Sequence, residues 1–107
     1  MIIFQDNVIK EFDDLIFDLY SKDYFSPKQS AEVYVDRIID FIKESIETFP
    51  SQKTPQKLHH FGSKYMFYKS NSRTTWFIFY ESEYQKYLIT KIINNHIRDS
   101  NYLHGDK

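Results

Sequence analysis

The chain is expected to form an α+β domain: a short N-terminal strand, then a two-helix hairpin packed on a C-terminal three-stranded antiparallel sheet. Three observations predict this. Apolar residues recur every three or four positions through the first half. Pro50 and Pro55 then bracket a loop, SQKTPQK, in which a helix cannot continue. From Lys64 onward the segments KYMFYK, RTTWFIFYE and KYLITKIINNH are rich in aromatic and β-branched residues, as strands are.

The elements follow in order. Met1 to Phe4 read as a strand, and Asp6 or Asn7 is placed to cap the helix behind it. Val8, Ile9, Phe12, Leu15, Ile16, Leu19 and Tyr20 form one stripe on that helix, and SKDYFSP ends it. Ser26, Pro27 and Gln29 open a second helix as cap, first-turn proline and capping-box partner. That helix is expected to reach about Thr48, with Ala31, Tyr34, Val35, Ile38, Ile39, Ile42 and Ile46 facing inward. Asn71-Ser72 supplies the first hairpin turn; Ser82-Glu83, extended by Tyr84 and Gln85, supplies the second. Simple hairpins would set Phe67 opposite Trp76 and Trp76 opposite Lys91. One face would then carry Phe67, Lys69, Trp76, Ile78, Ile89 and Lys91, open and cationic. The other, with Met66, Phe77, Phe79, Leu88 and Ile92, would pack on the helices.

Length and composition bound the class. A chain of 107 residues makes one domain, 1–107. Its 41% hydrophobic and 27% charged content argues for a folded protein over a disordered one. Aromatic residues reach 19%, so bulky rings must fill much of the core. The absence of cysteine excludes disulfides and thiol chemistry and suits a reducing compartment. No apolar run approaches the roughly 20 residues of a membrane helix, and the N-terminus lacks a secretory pattern. A cytoplasmic location without membrane contact is expected.

The net charge of −1 hides an asymmetry. Residues 1–50 carry five basic and eleven acidic side chains, a net of −6, whereas residues 51–107 carry nine and four, a net of +5. All four histidines lie in the basic half. Such a dipole suits an anionic partner, although acidic helices that merely face water produce the same pattern.

Lys69 and Arg73 flank a turn and offer phosphate contacts, or are simply solvated. Lys91 interrupts an apolar strand; it is a binding cation or a side chain whose stem lies along a ring. His96 near a strand end suits general acid–base chemistry or an ordinary surface role. Arg98 extends this basic set. Trp76 and Tyr80 offer rings for base stacking or for the core. His59-His60 diverge in extended backbone and lack a third ligand at usual spacing, so no metal site is expected. Glu81 and Glu83 read as a solvated hairpin tip.

The succession of elements resembles the RelE/ParE superfamily of bacterial toxins from toxin–antitoxin pairs. Pro50, Pro55, Gly62, Trp76-Phe77-Ile78-Phe79-Tyr80 and the ending Ile92-Ile93-Asn94-Asn95-His96-Ile97-Arg98-Asp99 match its pattern in order. The resemblance implies a toxin that acts on RNA at the ribosome, or on DNA gyrase, and is neutralised by an antitoxin protein. It implies no cofactor and no metal, and leaves homodimerisation open. RNA cleavage needs a base, cations for the phosphorane and an acid; the candidates for catalysis are His96 and Lys91, and those for target binding are Lys69, Arg73, Trp76, Lys91 and Arg98. Phe77 stands where RelE-like enzymes carry a catalytic arginine, which points toward a ParE-like toxin or a non-catalytic binding module of the same fold.

Overall fold

The computed structural model describes residues 1–21, 28–70 and 72–103. In chain order it contains β1 (Ile2–Phe4), α1 (Asp6–Ser21), α2 (Lys28–Ser45), β2 (Gln52–Lys53), a first 3-10 turn (Gln56–Phe61), β3 (Lys64–Lys69), β4 (Thr75–Glu83), β5 (Lys86–Asn94) and a second 3-10 turn (Arg98–Tyr102). The α+β class is as expected. The sheet differs: it has five strands, ordered β1-β5-β4-β3-β2, instead of three. The N-terminal strand joins it by pairing parallel to β5, Ile3 opposite Leu88. At the far edge two residues of the proline-bracketed loop pair with β3, Gln52 opposite Tyr65. So short a strand carries too little pattern to be read from sequence.

Helix α1 begins where the Gln5 carbonyl accepts the amides of Val8 and Ile9. Gln5 thus precedes the first turn, and the expected cap Asn7 instead donates its side-chain amide to the Thr90 carbonyl (3.0 Å). Val8 and Phe12 are buried, with Leu15 and Ile16 packed beside them, but Ile9 is 49% exposed and leaves the expected stripe. In α2, Val35, Ile38 and Ile42 face the core as expected, and Ile46 joins them from just past the helix end. The helix closes at Ser45, whose carbonyl accepts the amides of Thr48 and Phe49. The expected caps Ser26, Pro27 and Gln29, the stripe positions Leu19, Tyr20 and Ala31, and Asn71 lie outside the residues whose side chains the structure describes.

The strand register overturns the expected faces of Trp76, Phe77, Ile78, Phe79, Leu88 and Ile89, whereas Met66 and Ile92 turn toward the helices and Phe67, Lys69 and Lys91 share the other face, as expected. Phe67 lies opposite Phe77, not Trp76. Trp76 lies opposite Asn94, and Lys91 opposite Phe79. The second turn falls at Tyr84-Gln85, since Ser82 and Glu83, expected to form it, belong to β4, and two further local features change the faces. The β3–β4 connection is wider than a two-residue turn, with the Ser70 amide bonded to the Thr74 carbonyl. A bulge between Phe79 and Tyr80 then inserts an extra residue on β5. The β3–β4 slip is one residue, so the β4 side chains exchange faces relative to those of β3.

Trp76, Ile78 and Tyr80 therefore pack with Met66, Ile89 and Ile92 against the two helices. Phe77 and Phe79 turn the other way. They meet Tyr65 and Ile93 in a second apolar cluster, closed by Leu58 from the first 3-10 turn and by Leu103 after the second. The sheet face expected to be open and cationic is thus a second small core. Aromatic rings span both layers: Phe61 meets Phe79 edge-on at 5.3 Å, and Phe41 stacks on Tyr68 at 4.7 Å.

Candidate functional site

The sequence-derived candidates fall in three places. Lys69, Arg73 and His96 gather at the β3–β4 end of the sheet, all exposed. Lys69 pairs with Thr75 across the hairpin. His96 Nε2 lies 3.2 Å from Thr74 Oγ1, and its amide donates to Asn94 Oδ1 (2.9 Å). Asn95 locks the group together: its side-chain amide donates to the Arg73 carbonyl (3.0 Å), and its Oδ1 accepts the Thr75 amide (3.0 Å). The backbone of Arg98 opens the second 3-10 turn just beyond; its side chain lies outside the described set.

Trp76 sits elsewhere. It is 6% exposed in the helix-side core. Its indole N–H donates to the Tyr34 hydroxyl (2.9 Å), which lies 2.9 Å from the Ser70 hydroxyl. This chain of polar groups satisfies atoms that would otherwise be buried without partners and ties α2 to the hairpin. Tyr80 is likewise buried, and its desolvation raises the phenol pKa against a lowering hydrogen bond from Ser51.

Lys91 occupies a third position. It shares a face with Lys69, but four residues of β4 separate their partners Phe79 and Thr75, about 13 Å along the strand. Its ammonium contacts Glu11 Oε1 of α1 at 3.1 Å, the side chains being 31% and 29% exposed. It also lies 5.5 Å from the centre of the Phe61 ring. The ammonium is therefore engaged by both a carboxylate and a ring.

Lys91 lines a cavity of about 310 Å³ with Gln5, Asn7, His60, Phe61, Gly62, Glu81 and Thr90. Four segments build it: the entry to α1, the end of the first 3-10 turn, β4, and the bulged part of β5. Glu81 is held in place by the Ser63 amide (2.9 Å) and the Ser63 hydroxyl. The Thr90 hydroxyl donates to the Phe61 carbonyl, which fixes the 3-10 turn on the sheet. Gly62 lets these segments meet, because a Cβ there would stand 2.6 Å from Thr90 Oγ1 and 3.0 Å from the Tyr80 amide nitrogen.

Of the lining residues, the sequence pointed to Lys91 as a candidate; Glu81 read as part of a solvated hairpin tip, and His60 only as half of a His59-His60 pair not expected to hold a metal. The usable signal was Gly62, one of only two glycines in the chain, directly after His60-Phe61. Among the described residues no three His, Asp or Glu side chains gather as metal ligands do, and no helix is long and apolar enough to cross a membrane. No protein-family model, curated protein or solved structure matches the chain.

Proposed function

We propose that this chain is the toxin component of a toxin–antitoxin pair with a RelE/ParE-like arrangement, and that it inhibits growth by engaging RNA at the ribosome through Lys69, Arg73 and His96. The observation that carries the reading is the placement of these three exposed residues at one end of the sheet, where Lys69 lies opposite Thr75, His96 touches Thr74 and Asn95 bonds the Arg73 and Thr75 backbone. Two cations and an imidazole suit contact with a phosphodiester backbone. The order strand, helix, helix, then antiparallel strands further supports the family resemblance.

A second reading is favoured by Phe77. It is 3% exposed in the apolar cluster under the 3-10 turns, so no cation reaches the reacting centre from the position at which the family resemblance places one. On this reading the chain is a binding module that blocks its target without cleaving it. An antitoxin would neutralise either form.

Induced expression in a bacterial host tests both. Growth arrest is expected, and Lys69→Glu with Arg73→Glu is expected to relieve it while the circular dichroism spectrum is kept. Mapping transcript ends then separates the two, with new ends expected for cleavage and none for blockade. Full arrest by the charge-reversed protein would remove the hairpin end from the site; no arrest by the unaltered protein would remove the toxin reading.

A further inference from the structure

The cavity beside Lys91 lies at the other end of the sheet from Lys69 and Arg73. Glu81 is six residues of β4 away from Thr75, about 20 Å along the strand. We propose that this cavity seats a cationic side chain, arginine or lysine, presented by a protein partner. The inference stands apart from the toxin reading, since it concerns a different place and the opposite sign of charge.

The sign of the ligand follows from the fixed charges. Lys91 is matched by Glu11 at 3.1 Å. Glu81 adds a second carboxylate and has no ion-pair partner among the described residues. Lys91, Glu11 and Glu81 together carry one net negative charge, which disfavours a phosphate or carboxylate and favours a cation.

The carboxylate is also ready to bind. Ser63 holds it with two donors, so little side-chain freedom is lost when a ligand arrives. A carboxylate accepts about four hydrogen bonds, and Ser63 supplies two, leaving capacity for a guanidinium or ammonium. The neighbouring wall is aromatic, and its Phe61 ring already accommodates one ammonium, that of Lys91.

The same features point to a side chain instead of a free metabolite. At about 310 Å³ the cavity is at the small end for small-molecule sites, and Phe61 is the one hydrophobic side chain lining it. Asp6, between the lining residues Gln5 and Asn7, is exposed and adds negative charge near the entrance.

The test is an amide-resolved NMR titration of the whole chain with N-acetyl-arginine amide, with its neutral citrulline counterpart, and with inorganic phosphate. Arginine amide is expected to give saturating shifts in the millimolar range at Gly62, Ser63, Glu81, Thr90 and Lys91. Citrulline amide and phosphate are expected to leave these signals in place. Glu81→Gln is expected to weaken the arginine response at least about tenfold. The citrulline comparison decides the matter on the unaltered protein should that variant fail to fold. Saturation by phosphate, equal response to citrulline, undiminished binding by folded Glu81→Gln, or no response at these residues would each overturn the proposal. Growth arrest plays no part in the readout, so failure of the toxin reading leaves this test intact.

Discussion

Replacing Gly62 with alanine should cost this fold a large share of its stability. The residue has φ +155° and ψ +154°, a region occupied almost solely by glycine. An added methyl would meet Thr90 Oγ1 at 2.6 Å, the Tyr80 amide nitrogen at 3.0 Å and Phe79 Cβ at 3.1 Å. The Thr90 hydroxyl can rotate away only by releasing the Phe61 carbonyl, and the two β4 atoms sit in the middle of the sheet. Overpacking of this kind costs about 1–3 kcal/mol. Losing one hydrogen bond adds about 1 kcal/mol, and the backbone strain adds about 1–3 kcal/mol. A total of about 3–5 kcal/mol is expected, since relaxation relieves several terms together. At about 4–8 °C per kcal/mol for a domain of this size class, the melting midpoint should fall by roughly 12–40 °C. Thermal and urea unfolding followed by circular dichroism measure it. The double variant with Thr90→Ala should recover part of the loss but not all, because the contacts with Tyr80 and Phe79 persist. A Gly62→Ala protein melting within about 3 °C of the original would refute the close-packing argument.

Tyr34→Phe leaves the Trp76 indole N–H without its acceptor and should cost about 1–3 kcal/mol; fluorescence of this single tryptophan during urea unfolding reports it, and unchanged stability would count against the buried polar chain. Lys91→Met leaves Glu11 without its 3.1 Å partner; because both groups are about one-third exposed, the loss should stay near or below about 1 kcal/mol, and a much larger loss would mean that the pair is effectively desolvated. Burial raises the Tyr80 pKa above 10.0, so the folded chain holds a proton that the unfolded chain releases. Its stabilising contribution is complete below about pH 10 and is lost as pH rises through the folded-state value; Tyr80→Phe should flatten that decline in alkaline urea titrations, and an unchanged profile would remove Tyr80 as its source. Replacing Tyr84-Gln85, whose φ values are +50° and +65°, with Asn-Gly should raise stability by about 1 kcal/mol, and a drop in the urea midpoint would contradict the turn assignment.

Much of the helical layer was legible in the chain. Val8, Phe12, Val35, Ile38 and Ile42 recur at helical spacing, and the structure buries all five. The existence of β3, β4 and β5 was equally plain from aromatic and β-branched density, whereas the two-residue β2 was not. Register was not, because it turns on two features without a sequence signature: the width of the Ser70–Thr74 connection and the bulge at Phe79/Tyr80. These reversed the faces of Trp76 and Phe77 and hid the second core, whose cover comes from Leu58 and Leu103 in turns that lack periodicity. The gathering of Lys69 and Arg73 follows from their closeness to one hairpin, whereas the contact of His96 with Thr74 depends on strand pairing. The cavity was out of reach for the same reason, since Asn7, His60, Glu81 and Lys91 belong to four separated segments.

The pairing of Ile2–Phe4 with Tyr87–Ile89 bears on how the chain matures during synthesis. The first strand emerges some 85 residues before its neighbour exists, roughly 4–17 s at ordinary translation speeds. Throughout that interval Ile2, Ile3 and Phe4 have no sheet to join, and closure of so long a loop is intrinsically slow. Biogenesis therefore has a built-in delay, during which the apolar Ile2–Phe4 segment waits for its place in the sheet.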